Sequence, residues 1–192
     1  MKTVLTSDFE KEWTTFYNNI REVGLDRFYD IETLKAQLKI ASCALSDDTG
    51  CAYPGALIVH INLITALATR IAKMISGTFN INTISLLRVC LLMHLSKIEM
   101  FEPNDNQWEI DKRGLNYKFA ETEGKLKFGE RSILNAMNRG ITLSAEEFEA
   151  IRCLDKENEE KGGKYFECVL ATVVRQANEL AYAIEKEKYK RI

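Results

Sequence analysis

The sequence is poor in the residues that mark metal-rich and disulfide-rich proteins. Among its 192 residues there are only two histidines, His60 and His94, and only two prolines. The five cysteines form no C-x-x-C pair, and their odd number and spacing suit neither a zinc ribbon nor a disulfide framework. We therefore expect reduced thiols in a cytoplasmic protein.

Neither sign of charge is in excess. The chain has 26 basic and 28 acidic residues and a formal net charge of −2, which gives no global electrostatic reason to expect nucleic-acid binding. The lysine-rich segment 185–191 is interleaved with glutamates, as is typical of a solvated helix tail. The most apolar stretch, residues 57–75, is interrupted by His60, Asn62, Arg70 and Lys73, so we expect no membrane span.

Apolar residues recur at intervals of three and four along most of the chain, which predicts helices. Ser7 with Glu10, and Ser144 with Glu147, have the spacing of capping boxes. The predicted helices cover residues 7–24, 31–45, 54–77, 83–96, 129–138, a segment starting at 144, and about 165–190. This pattern predicts an all-α protein, and no linker divides it into separate domains.

One segment, residues 97–119, departs from the helical pattern. Ile98, Met100, Trp108 and Ile110 alternate with polar residues on either side of a turn-forming run at 102–106. Alternation of this kind is typical of a β-hairpin. The predicted fold is therefore a helical bundle with a small β-hairpin insertion.

Both histidines are predicted to face the protein interior. His60 lies on the same helical face as Leu57 and Ile64, and His94 continues the line of Leu87 and Leu91. Each is either a neutral core histidine with a hydrogen-bonded ring, or one of two ligands to a common divalent metal. The spacing alone favours core histidines.

Several motifs resemble the HD superfamily. Residues 53–60 (YPGALIVH) and 91–98 (LLMHLSKI) are similar to its first two motifs, a Gly-Gly-Leu-x-x-His helix start and a helix ending in His-Asp-x-x-Lys-Ile. Three further segments resemble motifs of a phage and mobile-element branch of that family: residues 108–114 (WEIDKRG), 128–132 (FGERS) and 143–152 (LSAEEFEAIR). The resemblance extends over about residues 51–183.

The resemblance implies one HD-like helical domain over residues 1–192. Its core would span about residues 51–183, and residues 1–50 would form an N-terminal helical extension. It also implies hydrolysis of phosphoesters or nucleotides by a water molecule that a divalent metal activates, the metal being held by two histidines and two aspartates.

Not all of these ligands are present. His60 and His94 match the two histidines, but Leu95 stands in place of one aspartate and Asn178 in place of the other. Two imidazoles without an anionic ligand hold Mg²⁺ or Mn²⁺ poorly. Cys90, one turn before His94, is a weak candidate for an additional zinc ligand, since a buried thiol more often acts as a small apolar side chain.

The basic residues of the family motifs are better retained. Lys97, Arg131 and Arg152 match motif residues that would face a substrate phosphate, or else form structural ion pairs. The histidine that should follow Arg152 is missing, because the local run is Cys153-Leu154-Asp155.

Three functions follow from the resemblance. The first is a degenerate, non-catalytic HD-like domain that binds a small phosphate-containing ligand or a protein partner and needs no cofactor. The second is a phosphohydrolase acting on nucleotides or phosphoesters through an altered site with a divalent metal. The third is a nucleic-acid-associated accessory protein of a phage or mobile element. The substituted ligands favour the first, and the ligand and oligomeric state are left open.

Overall fold

The computed structural model describes residues 6–121, 126–153 and 168–190. This part of the chain is mostly helical, with one two-stranded antiparallel sheet. The elements are α1 (Thr6–Glu22), α2 (Ile31–Ile40), α3 (Ala56–Ile75), α4 (Thr83–Leu92), α5 (Lys97–Met100), β1 (Phe101–Pro103), α6 (Gln107–Arg113), β2 (Tyr117–Phe119), α7 (Phe128–Asn138), α8 (Ala145–Arg152) and α9 (Val169–Lys190).

Helix α3 lies at the centre of the bundle. It begins just after Gly55, whose positive φ of 82° ends the preceding turn, two residues later than predicted from Pro54. It packs against α1, α2, α4 and α9, and its buried side chains include Leu57, Ile61 and Ile64. By length and composition it is also the one described helix that could cross a membrane. In this structure it is the core helix of the bundle.

The N-terminal helix α1 belongs to the same core. Phe9, Trp13, Phe16 and Ile20 recur on one face, as predicted, and all four are buried together with side chains of α3, α4 and α9. The extension therefore shares its apolar contacts with the remainder of the bundle.

Helices α2 and α4 end four or five residues earlier than predicted. Helix α2 stops at Ile40, because Ala41 already has an extended backbone (φ −68°, ψ 131°). Helix α4 stops at Leu92 and is followed by tight turns in which Leu95 N–H bonds to Leu92 O at 3.2 Å and Lys97 N–H bonds to His94 O at 3.0 Å. His94 thus lies in a turn beyond α4.

The insertion contains a β-hairpin, but its strands are not those predicted. Strand β1 pairs with β2, with Phe101 opposite Phe119. Trp108 and Ile110, predicted as strand residues, lie in α6. The reason is local, since the Asn106 side chain accepts hydrogen bonds from the backbone N–H groups of residues 108 and 109 and so starts a helix.

A buried ion pair connects α4 with α8. The predicted capping box is confirmed, since Ser144 Oγ accepts from Glu147 N at 3.1 Å and the Glu147 carboxylate accepts from Ser144 N at 3.0 Å. Glu147 also accepts from Arg88 Nε at 2.9 Å, while Arg88 Nη2 donates to Thr142 O at 2.6 Å. Both carboxylate oxygens of Glu147 and the Nε and Nη2 atoms of Arg88 are therefore hydrogen-bonded, as buried charges require.

The apolar periodicity of α9 predicts a buried face that includes Phe166, Val173, Ala177 and Leu180, and the observed face differs from it in part. Val173 and Ala177 are buried as predicted, but Leu180 is exposed, and Phe166 lies outside the described residues. The face is rotated toward Leu170, Val174, Ala181 and Glu185. The prediction of a fully solvated tail is wrong at Glu185, which is 7% exposed.

Gly50 is where the loop before α3 touches α9. Its φ is 76°, and a Cβ there would overlap the Glu185 carbonyl group and lie 3.0 Å from Tyr189 Cβ. Gly24 has a similar φ of 65°, but a Cβ would meet nothing within 4 Å.

We therefore expect Gly50→Ala to destabilise the protein more than Gly24→Ala. In both variants an alanine at positive φ lowers the free energy of unfolding by about 1 kcal/mol. Only Gly50→Ala adds a clash with the backbone, which lowers it by about 1–3 kcal/mol more. Urea unfolding followed by circular dichroism measures both. Equal losses of unfolding free energy would contradict the packing described for Gly50.

Candidate functional site

His60 and His94 converge on one side chain, Asn178. Asn178 Oδ1 lies 2.9 Å from His94 Nε2 and 3.3 Å from His60 Nε2, and the two ring centroids are 5.1 Å apart. The rings are 0% and 4% exposed, which confirms the prediction that both face the interior. Helix α3, the turn after α4, and α9 thus bring together three of the positions that the resemblance assigns to metal ligands.

The second nitrogen of His60 is bound to Glu185. Nδ1 lies 2.8 Å from Glu185 Oε2. A carboxylate and an amide oxygen are both acceptors, so His60 donates from both nitrogens and carries a positive charge. Burial disfavours that charge, but the negative charges of Cys43 and Glu185 outweigh burial and raise the pKa of His60 to about 9.

His94 is in the opposite state. Burial, together with the positive charges of Lys97 and His60, holds the pKa of His94 well below its usual value of 6.5. The ring is therefore neutral and donates from Nε2 to Asn178. Its Nδ1 is buried without a hydrogen-bond partner among the described residues.

Lys97 points into the protein. Its side chain is 5% exposed, and Nζ donates to Tyr182 Oη at 2.6 Å and to Cys43 O at 2.9 Å. The ammonium also lies 3.5 Å from Cys43 Sγ and 5.5 Å from the centre of the Phe128 ring. Lys97 was predicted either to face a substrate phosphate or to form a structural ion pair, and in this orientation its described hydrogen bonds are internal.

Cys43 is the second anionic member of this cluster. Burial raises the pKa of the Cys43 thiol, but a hydrogen bond from the Cys51 thiol and the positive charges of His60 and Lys97 hold that pKa well below its usual value. The hydrogen bond to Cys43 and burial together raise the pKa of Cys51. We call the following residues the buried polar network: Cys43, Cys51, His60, His94, Lys97, Asn178, Tyr182 and Glu185.

The remaining metal-ligand candidates, Leu95 and Cys90, contribute no metal-binding atom to this network. Leu95 is buried in the apolar core and has no lone pair to offer. Cys90 lies in the same core, where burial raises the pKa of its thiol to about 12, so it is protonated. Among the described residues no group of three or more His, Cys, Asp or Glu side chains is placed to hold a metal. Two imidazoles and one amide do not fit a hard divalent cation.

The three predicted phosphate-facing residues do not come together. Lys97 is internal, and Arg131 lines a cleft of about 110 Å³ with Ser96, Glu99, Asn135 and others. Arg152 is exposed in the last turn of α8 and does not line that cleft. The two positions after Cys153, where the resemblance expects a histidine, lie outside the described residues.

Sequence reasoning missed Glu185 and Tyr182. The Tyr182 ring lies 4.3 Å from the His60 ring, and both residues follow Asn178 at helical spacing, at i+4 and i+7. That spacing was a usable signal, because residues three, four and seven apart share a helix face. It was masked for Glu185 by the charged residues that follow it.

Comparisons with known proteins found no matching family model, curated protein or solved structure. The chemistry of the site therefore follows from its own donor atoms. Most of them bond to one another inside the protein, with His60 charged and His94 neutral. Two buried atoms of the site, His94 Nδ1 and Glu185 Oε1, have no partner among the described residues. At neutral pH the raised pKa of His60 keeps its ring protonated, and the lowered pKa of His94 makes it a weak base.

The two histidines are expected to affect stability in opposite pH ranges. His60 has a raised pKa, so its contribution is complete below pH 6.5 and is lost as pH rises toward 9. It amounts to about 3 kcal/mol at most. His94 has a lowered pKa, so the folded state loses stability as pH falls below 6.5, where the unfolded chain binds the proton.

Urea unfolding from pH 5 to 9 of the wild type, His60→Gln and His94→Gln measures these effects as differences from the wild type. The advantage of the wild type over His60→Gln should shrink above pH 6.5, and its advantage over His94→Gln should shrink below pH 6.5. Parallel pH profiles for the two variants would show that the assigned charges are wrong.

Proposed function

We propose that this protein is a non-catalytic, degenerate HD-like domain that binds a small phosphate-containing ligand or a protein partner. The observation that carries the proposal is the double contact of Asn178 Oδ1 with both imidazole Nε2 atoms. A metal at this point would need both Nε2 atoms unprotonated, whereas here each Nε2–H donates a hydrogen bond to the amide oxygen of Asn178.

The charges around this point also oppose a cation. His60 is positively charged, and the Lys97 ammonium lies close enough to lower the pKa of His94. Glu185 is the nearby carboxylate, but its Oε2 binds Nδ1, on the side of the His60 ring away from Asn178. A divalent ion would therefore meet two positive charges and no directly facing anion, which is unfavourable in a buried, weakly screened site.

A small phosphate-containing ligand has a separate place to bind. The Arg131 cleft is open at the surface, and its lining includes Glu99, Asn135 and Asn138. Arginine with two amides can donate several hydrogen bonds to a phosphate, and Glu99 is the one carboxylate of the lining that would oppose it. For a protein partner, the insertion exposes two aromatic side chains, Trp108 and Phe119, at 62% and 56%.

The second candidate function, a phosphohydrolase with an altered metal site, has one observation in its favour. A carboxylate on Nδ1 of a histidine, as Glu185 is on His60, is the usual way of orienting a metal-binding imidazole. The missing anionic ligands weigh against it. The third, a nucleic-acid accessory role, gains nothing from a net charge of −2.

Elemental analysis of the purified protein, with a turnover assay on nucleotides and generic phosphoesters, tests the proposal. We expect much less than one equivalent of bound divalent metal and no metal-dependent turnover. One equivalent of metal together with turnover that His60→Ala and His94→Ala abolish would establish the hydrolase instead.

A restoration variant serves as the positive control for that assay. Leu95→Asp with Asn178→Asp returns two carboxylates to the site, and the double variant is expected to bind Mn²⁺ more tightly than the wild type. The matched control, Leu95→Asn with Asn178 unchanged, adds a polar group without a negative charge and should bind no better than the wild type.

Calorimetric titration with inorganic phosphate and a nucleotide panel tests the cleft. Arg131→Gln should weaken phosphate or nucleotide binding about tenfold or more, since a charge-assisted hydrogen bond contributes about 1.5–3 kcal/mol. Arg113→Gln removes an equal charge from the exposed helix α6 and should leave binding unchanged. Equal effects of the two variants, or no binding by the wild type, would exclude the cleft and leave a protein partner.

A further inference from the structure

The connection between α3 and α4 projects from the bundle. Every residue from 69 to 85 is exposed or half-buried, whereas Ala68 before this segment and Leu86 after it are buried. We call residues 69–85 the α3–α4 tip. Three of its large apolar side chains are exposed, namely Met74 at 79%, Phe79 at 49% and Ile84 at 44%. Exposed apolar side chains gathered on one segment mark an interaction site, and the proposed function does not use this one.

The backbone of the tip is hydrogen-bonded internally where the chain turns. Thr78 N–H and Phe79 N–H both donate to Ile75 O, at 2.8 Å and 2.9 Å. The Asn82 side chain accepts from Ser85 N–H at 3.1 Å and so caps α4. Peptide groups that already have a partner lose little when they leave water. The turn is therefore suited to enter a less polar environment.

The charges that accompany these apolar side chains are positive. No aspartate or glutamate occurs between Thr49 and Ile98, and the two charged residues of the tip, Arg70 and Lys73, are both exposed. Lys73 directly precedes Met74, and Arg70 lies one helical turn before it. Apolar side chains with cations beside them complement a surface that is negatively charged outside and apolar within.

We propose that the α3–α4 tip docks the protein on the surface of a bilayer that contains anionic lipids. The three exposed apolar side chains enter the boundary between headgroups and acyl chains, while Arg70 and Lys73 stay among the anionic headgroups. A stable protein interface buries roughly 800 Å² on each partner, which three side chains on a projecting turn do not supply. The docking involves no residue of the Arg131 cleft or of the buried polar network.

Sedimentation of the full chain with vesicles tests the docking. We expect the protein to pellet with vesicles that contain phosphatidylcholine and phosphatidylserine in equal amounts. Partition into vesicles of phosphatidylcholine alone should be about tenfold or more weaker, because each cation near an anionic surface contributes to binding. Added salt should weaken binding to the mixed vesicles. A protein that stays in the supernatant with mixed vesicles at low salt overturns the proposal.

A matched pair of double variants separates the tip from the remaining apolar surface. Met74→Ser with Phe79→Ser should weaken partition into the mixed vesicles about tenfold, since binding scales with the apolar area buried. The control, Ile40→Ser with Met137→Ser, removes side chains that are 68% and 60% exposed on α2 and α7, and should bind like the wild type. All four side chains are exposed, so we expect wild-type circular dichroism. Equal binding by the two double variants overturns the proposal.

A second pair of variants tests the charges. Arg70→Gln with Lys73→Gln should remove most of the preference for phosphatidylserine. Lys112→Gln with Arg113→Gln takes an equal charge from exposed positions of α6 and should keep that preference. An equal loss in both would show that net charge acts without the tip, which also contradicts the proposal.

A tryptophan at the tip reports insertion directly. In a Trp108→Phe background, Phe79→Trp should shift its emission to shorter wavelength on the mixed vesicles and be quenched by brominated lipid, while Trp13 is buried and gives a constant background. Unchanged emission from protein that pellets would place the contact elsewhere and overturn the docking. A concentration-dependent dimer that Met74→Ser with Phe79→Ser abolishes, without vesicle binding, would assign the tip to a second copy of the chain instead.

Discussion

The hydrogen-bonded ion pair between His60 and Glu185 is the constraint on which the arrangement of the bundle depends. His60 is fixed on the central helix α3, so a charged ring there must find an anion without leaving the core. Glu185, near the C-terminal end of α9, provides it at 2.8 Å. This contact sets which face of α9 is buried. It also brings the α9 backbone so close to Gly50 that no side chain fits between them.

The other members of the network balance the charge that this pair leaves. His60 and Lys97 are cations, and Glu185 and Cys43 are their anions. Asn178 and His94 are neutral, and the Asn178 amide oxygen accepts from the Nε2 atoms of both histidines. Two positive and two negative groups therefore compensate one another inside the protein. A buried cluster balanced in this way needs no bound ion to hold it together.

Periodicity in the sequence could reveal the helices and the burial of both histidines, because a run of apolar residues reports which helix face is inside. It places Glu185 on the same helix face as Asn178, but a glutamate in a charged segment gives no signal of burial until its partner is known. Nor could it reveal that Lys97 points inward, because a motif fixes the position of a lysine and not its direction. The strand predicted at Trp108 failed because one local hydrogen-bond acceptor, Asn106, favoured a helix over an alternating pattern.

The same balance explains why Asn178 and Leu95 suit this site better than aspartates would in the absence of a metal. An amide oxygen accepts both imidazole N–H groups without adding charge, whereas an aspartate at 178 would bring a third anion into a cluster that is already neutral. That excess would be relieved only by a proton or a bound cation. A second aspartate at 95, where leucine packs in the apolar core, would double the excess. Asn178 and Leu95 thus act in one direction: neither adds a charge to the cluster, and the Asn178 oxygen occupies the point that both imidazole Nε2 atoms face.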